Sequence, residues 1–197
     1  PDPPFVYGFN NPDNHERVLK ATRKAIDDAA EFGYKRVICF TGYKQLDPKD
    51  PSSPVIDDAE GMANCVAGLK KIADFDISVG CYPEVHPDSA NLQADLDNLK
   101  AKFDAGADRA ITQFFFEPEM FLRFRDRAVK HGIDGPLIPG VMPIFNFAKV
   151  ARFSRGCGTS VPQWLEETFA GLDEDPETRR LVAAALAAEI CQRLREE

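Results

Sequence analysis

The polar side chains best placed to meet a ligand are Tyr82, Glu84, His86 and Gln113, with Thr41 and Gly42 upstream and Pro143 to Asn146 downstream. Each falls at or just beyond the end of an apolar run, and in parallel α/β proteins ligands meet the carboxyl ends of strands. Gln113 is the strongest signal, because an amide inside AITQFFF must find hydrogen-bond partners if it is buried. A core hydrogen bond is its competing role. His86 is one of three histidines, and a loop histidine is more often solvated or capping. Tyr82 has rim packing as its ordinary alternative. The carboxylates Glu84, Asp88, Asp95 and Glu117 form no pair with acid/base spacing, and no cluster of histidines and acids suggests a metal. Neither G-x-G-x-x-G nor a P-loop appears. The pattern therefore points to ligand binding, with no catalytic and no metal-ligating residue assigned.

Repeating βα units must carry these residues. Helical spacing predicts a first helix over Asn14 to Phe32, closed by Gly33, and a second from Asp57 or Asp58 to about Ala73. Later helices are expected over Ala90 to Asp104, Glu119 to Lys130, Phe147 to Ser154, Pro162 to Phe169 and Pro176 to about Leu194. Four short apolar runs read as strands buried on both faces: Arg36 to Thr41, Ile77 to Cys81, Arg109 to Phe115 and Leu137 to Ile144. Between the first strand and the second helix lies an irregular loop over residues 42–55, of a length typical of functional connections.

Alternating strands and helices imply parallel strands with right-handed crossovers. An eight-stranded barrel usually takes about 250 residues, with about 200 a lower limit. The expected fold is thus α/β, a single domain of TIM-barrel-type parallel βα units with about four strands. Such a half-barrel is expected to close as a homodimer through its open sheet edges, the alternative being an open flavodoxin-like sheet.

With 197 residues, 44% of them hydrophobic, the chain can bury a core, and its net charge of -8 opposes a general attraction to nucleic acid or anionic membrane. No apolar run approaches about 18 residues and the start resembles no signal peptide, so a soluble cytoplasmic protein is expected. The first residue is Pro1, which suggests trimming. Five widely spaced cysteines without C-x-x-C suggest reduced, mostly buried thiols.

From about Ala73 onward, ADFDISVGCYPEVHP, NLKAKFDAGADRAITQFFF, FLRFRDR, GIDGPLIPGVMPIFNF, VPQWL and GLDEDPETRRLV closely resemble methylenetetrahydrofolate reductase. That resemblance implies a barrel enzyme using FAD to pass a hydride from NAD(P)H to methylenetetrahydrofolate. Position by position it implies flavin contacts for Tyr82, His86, Ser89, Asp95, Asn98 and Lys102, and a folate contact for Gln113. Asp95, Asn98 and Lys102 stand three and four residues apart, so they share one helix face.

Several positions depart from the family pattern. Ala101 replaces a frequent basic residue, and Lys149 replaces a second substrate-contacting glutamine. The glutamate strand that supplies the family's general acid is not seen, nor is the final strand with its substrate-contacting arginine. FTGYKQLDP stands where the family has Arg-Gly-Asp-Leu-Pro. Residues 5–73 instead resemble hydroxypyruvate isomerase or sugar-epimerase barrels, without the strands that carry their metal-binding acids. Two barrel fragments, 1–73 and 74–197, are therefore expected to meet near Ala73 in an engineered or recombined chain. The expected function is a scaffold without a complete active site that retains weak FAD binding. The alternatives are a working FAD-dependent reductase completed by a partner chain, or a sugar isomerase.

Overall fold

The computed structural model describes residues 7–47, 49–72 and 75–197. The chain divides at Asp76 into two compact units, residues 1–76 and 77–197. No helix among the described residues is long and apolar enough to cross a membrane.

In the first unit, α1 (His15–Glu31) and α2 (Asp58–Leu69) are the regular elements, α2 continuing as a 3-10 turn over Lys70–Ile72. Ala73, where the second helix was expected to end, lies outside the described residues. Asp57 starts α2 by accepting hydrogen bonds from the Ala59 and Glu60 amides, and Gly33 takes φ 75° just beyond α1. Phe9, Leu19 and Cys65 form a small core with Val18, Leu69 and Ile72 at its margin.

The expected strand Arg36 to Thr41 does not form. Among the described residues it pairs with no strand, and Ile38 is 84% exposed. The Thr41 carbonyl instead accepts the Asn10 amide at 2.9 Å, and the Asn10 side chain donates to the Tyr43 carbonyl. An apolar run becomes a strand only where a neighbouring backbone completes its hydrogen bonds.

The second unit contains β1 (Ser78–Cys81), β2 (Arg109–Phe114) and β3 (Leu137–Gly140), all parallel in the order β1-β2-β3. Among the described residues three strands therefore stand where about four were expected. The third is shorter than Leu137 to Ile144, because pairing with β2 ends where Gly140 meets Phe114 after a register shift. The intervening helices are α3 (Leu92–Asp104) and α4 (Pro118–Lys130); α5 (Phe147–Gly156), α6 (Gln163–Phe169) and α7 (Pro176–Arg195) follow. Pro162 occupies the N-cap of α6 rather than its first turn, whereas Pro176 lies inside α7 after the N-cap Asp175.

One sheet face is covered. Cys81 and Ala110 pack with Leu96 and Leu99 of α3, Phe124 and Ala128 of α4, and Ile133. Residues of opposite parity point the other way: Ile111 is 45% and Ile138 42% exposed. The strands are thus covered on one face rather than the expected two. Phe114, Phe116, Ile144, Leu165, Phe169 and Ala183 form a further core that fixes the three later helices.

Of the five cysteines, Cys65 and Cys81 are buried, Cys157 is intermediate, and Cys39 and Cys191 are exposed, so fewer are buried than expected; all are free thiols.

Candidate functional site

The connection from β1 to α3 carries Tyr82, Glu84, His86 and Ser89, and α3 begins one turn before Asp95. Asn91 caps α3 by accepting the Ala94 amide at 3.0 Å, which sets Asp95 in the first turn. There the Asp95 carboxylate accepts the His86 amide at 2.9 Å and pins the loop to the helix. The His86 ring meets Tyr82 edge to face, centroids 4.5 Å apart. Its Nδ1 accepts the Asp88 amide at 3.1 Å, which leaves Nε2 as the ring nitrogen that can donate outward.

Burial pushes the Tyr82 phenol above its ordinary value, with a further rise from Cys157, and the Gln113 side chain on β2 opposes both. Gln113 is half-buried and its side-chain oxygen accepts the Phe114 amide at 3.0 Å. The amide that sequence marked as needing partners has them. Gly80, on the same exposed sheet face as Ile111, has open space where a side chain would start.

Lys102 reaches back from the last turn of α3, donating to the Gly80 carbonyl at 3.0 Å. Burial pushes its ammonium below the ordinary lysine value, while Cys81 and Asp95 pull the other way. The Cys81 thiol is itself pushed up to about 12 by burial, so it is neutral near pH 7 and Asp95 is the effective anion. Ser89 donates to the Asn91 carbonyl at 3.2 Å, and Asn98 lies exposed on α3.

Of the expected positions, Tyr82, His86 and Asp95 are brought together by direct contacts, Ser89 stands at the entrance of α3, Lys102 reaches from α3 to β1, and Gln113 lies on the neighbouring strand β2. Asn98 contributes only its place on the helix. Thr41 and Gly42 belong to the first unit, where Gly42 takes φ 95° beside Asn10. Sequence reasoning missed Ser160, Thr159 and Thr112. Ser160 donates through its amide to both Glu84 oxygens at 2.9 and 3.1 Å, and its hydroxyl donates to Glu84 as well. Thr159 donates to the Phe114 carbonyl at 3.1 Å, and Thr112 accepts the Gly140 amide at 2.9 Å. Only Thr112, a hydroxyl within an apolar strand, carried a signal in its own segment. Among the described residues no group of three or more His, Cys, Asp or Glu could hold a metal ion.

Among the described residues, three parallel strands in sequence order, with polar groups at and beyond their carboxyl ends, define an α/β protein with an open parallel sheet. The profile of the methylenetetrahydrofolate reductase family matches residues 14–197. The chain belongs to that family. It is 44% identical over 187 residues to 5,10-methylenetetrahydrofolate reductase of Pectobacterium carotovorum, covering 93% of this chain and 60% of the relative. With the protein of the same name from Escherichia coli it shares 52% over 135 residues, 68% of this chain and 46% of the relative. For Buchnera aphidicola of Schizaphis graminum the figures are 53% over 126 residues, 64% and 43%. The chain therefore spans about half the length of these relatives. The family match extends well into the first unit, which the isomerase resemblance had set apart.

Proposed function

We propose that residues 77–197 supply the flavin-facing wall of a methylenetetrahydrofolate reductase, binding FAD weakly without forming a complete catalytic site on their own. Tyr82, His86, Ser89, Asp95, Asn98 and Lys102 would hold the cofactor, and Gln113 would hydrogen-bond the edge of the folate pterin. FAD, when bound, supplies the hydride relay between NAD(P)H and methylenetetrahydrofolate. The chain's own part is to bind and orient: His86 donates from Nε2, Lys102 offers positive charge toward the diphosphate, and Gln113 presents an amide to the substrate.

The observation that carries this reading is the cluster in which the Tyr82 ring meets His86 edge to face at 4.5 Å while the His86 amide donates to Asp95 at 2.9 Å, joining three of the proposed cofactor contacts. The residues fit such a ligand. Gly80 leaves open space on that face for a flat ring, and among the six proposed cofactor positions donors outnumber the one carboxylate, Asp95, Glu84 of the same loop being engaged by Ser160. The departures FTGYKQLDP and Lys149, together with unpaired outer edges of β1 and β3 among the described residues, support an incomplete site. A second copy joined through those edges would supply the rest of the rim, in the cytoplasm. A recombination near Ala73 is favoured by one observation: the chain divides into compact units at Asp76, three residues beyond the junction read from sequence.

Titration of the purified protein with FAD, followed by flavin fluorescence and visible absorption, tests the reading. Saturable uptake is expected, weakened about tenfold by Tyr82→Ala or His86→Ala through loss of one net interaction each. NADH oxidation with methylenetetrahydrofolate should stay at background. Protein that never takes up FAD refutes the flavin wall, and turnover by the chain alone refutes the incomplete site.

A further inference from the structure

We propose that Glu84 and Ser160 are positioning residues for the loop bearing Tyr82 and His86, and that Gly158 to Ser160 form a bracket setting the flavin affinity of that loop. The inference rests on the flavin reading above. The loop's internal bonds are all local: Ser89 amide to His86 carbonyl at 2.9 Å, Asp88 amide to His86 Nδ1 at 3.1 Å, His86 amide to Asp95 at 2.9 Å. These shape it and tie it to α3. None of them holds it against the far side of the rim.

That anchor comes from three successive residues after α5. Gly158, at φ 70°, lies under Val85 and Pro87; a Cβ there would stand 2.8 Å from the Val85 carbonyl and 3.1 Å from the Pro87 ring. Thr159, buried, donates to the Phe114 carbonyl at 3.1 Å, next to Gln113. Ser160 closes the bracket on Glu84 with its amide and hydroxyl. Charge-assisted bonds of this kind fix orientation strongly. Both carboxylate oxygens of Glu84 are engaged, which makes it a clamp rather than a ligand. The bracket touches the loop with Tyr82 and the strand with Gln113 at once, so it sets the distance between the proposed cofactor and substrate contacts.

Glu84→Ala is expected to weaken FAD uptake about tenfold, and Ser160→Ala, which removes the hydroxyl but keeps the backbone amide donor, by less, the double variant no further than Glu84→Ala alone because all these bonds end on Glu84. Glu84→Gln, which keeps an acceptor, should recover part of the loss. The melting midpoint should move by less than ~3 °C in all of them. Without FAD, hydrogen exchange at the Ser160 and His86 amides should accelerate in Glu84→Ala. Wild-type affinity in the single variants, additive losses in the double, or unchanged exchange at His86 overturns the bracket. If wild-type protein itself takes up no FAD, the flavin reading and the affinity half of the bracket fall, while exchange still decides whether Glu84 positions the loop.

Discussion

In the first unit the apolar run Arg36 to Thr41 lies in the open, with Ile38 84% and Phe40 47% exposed, whereas in the second unit the run Arg109 to Phe114 has a parallel strand on each side and Ala110 is fully buried. Locally the two are alike: short, apolar, and preceded by a glycine that closes a helix. Their fates diverge because β2 has a hydrogen-bonded strand on each side and helices that cover one of its faces, whereas residues 36–41 pair with no strand among the described residues and receive a backbone bond from the Asn10 amide to the Thr41 carbonyl. Strand character is thus decided by partners beyond the segment.

The largest effect that would break this contrast is a core truncation. Phe124 is 2% exposed between α4 and the sheet, so Phe124→Ala should cost about 3–5 kcal/mol in urea unfolding. Ile38→Ala, at a site 84% exposed, should cost under about 0.5 kcal/mol. A comparable loss at Ile38 would mean that residues 36–41 are paired in solution, and the contrast between the units would dissolve.

The helices were legible for the same reason that the first strand was not. Gly33, Gly106 and Gly132 take positive φ just past α1, α3 and α4, and Asn91, Asn146 and Asp175 cap the starts of α3, α5 and α7, all signals within a few residues of the boundary they set. Tyr82, His86 and Gln113 were legible as strand-end residues because three of the four expected strands form. Ser160 was not, since it lies 76 residues from Glu84 and nothing in GCGTS marks an acceptor that far along the chain. The single buried face of the sheet was equally hidden: continuous apolar runs specify burial, but which neighbour provides it is a matter of tertiary packing.

A smaller effect sharpens the comparison through titration. Burial pushes the Cys81 thiol up to about 12, and the Cys65 thiol of the first unit up to about 11, from an ordinary 9.0. Above pH 9 the unfolded chain loses these protons while the folded chain keeps them, so the unfolded state binds fewer protons and stability falls as pH rises. The slope approaches ~1.4 kcal/mol per pH unit for each thiol inside its window. Lys102 acts oppositely: with its folded value lowered, the unfolded chain binds the extra proton below 10.5, and stability rises with pH there. Urea midpoints from pH 8 to 10.5 should therefore decline less in Cys81→Ala than in the parent protein, and more steeply in Lys102→Met. An unchanged slope in Cys81→Ala would remove burial of that thiol as the cause.

The smallest expected effect concerns what the two units share. Asp57 caps α2 in the first unit by accepting the Ala59 amide at 2.9 Å, and Asp175 caps α7 in the second by accepting the Thr178 amide at 3.0 Å. Each satisfies amides that a helix start leaves without partners, and each puts a carboxylate at the positive end of the helix. Removing either by substitution to alanine should cost about 1 kcal/mol, measured by denaturant unfolding followed in the far ultraviolet. Near-equal costs would mean that helix starts are governed locally in both units, leaving strand partnership as what separates them. A much smaller cost for Asp57→Ala would show that α2 forms only loosely, and the difference between the units would extend from their strands to their helices.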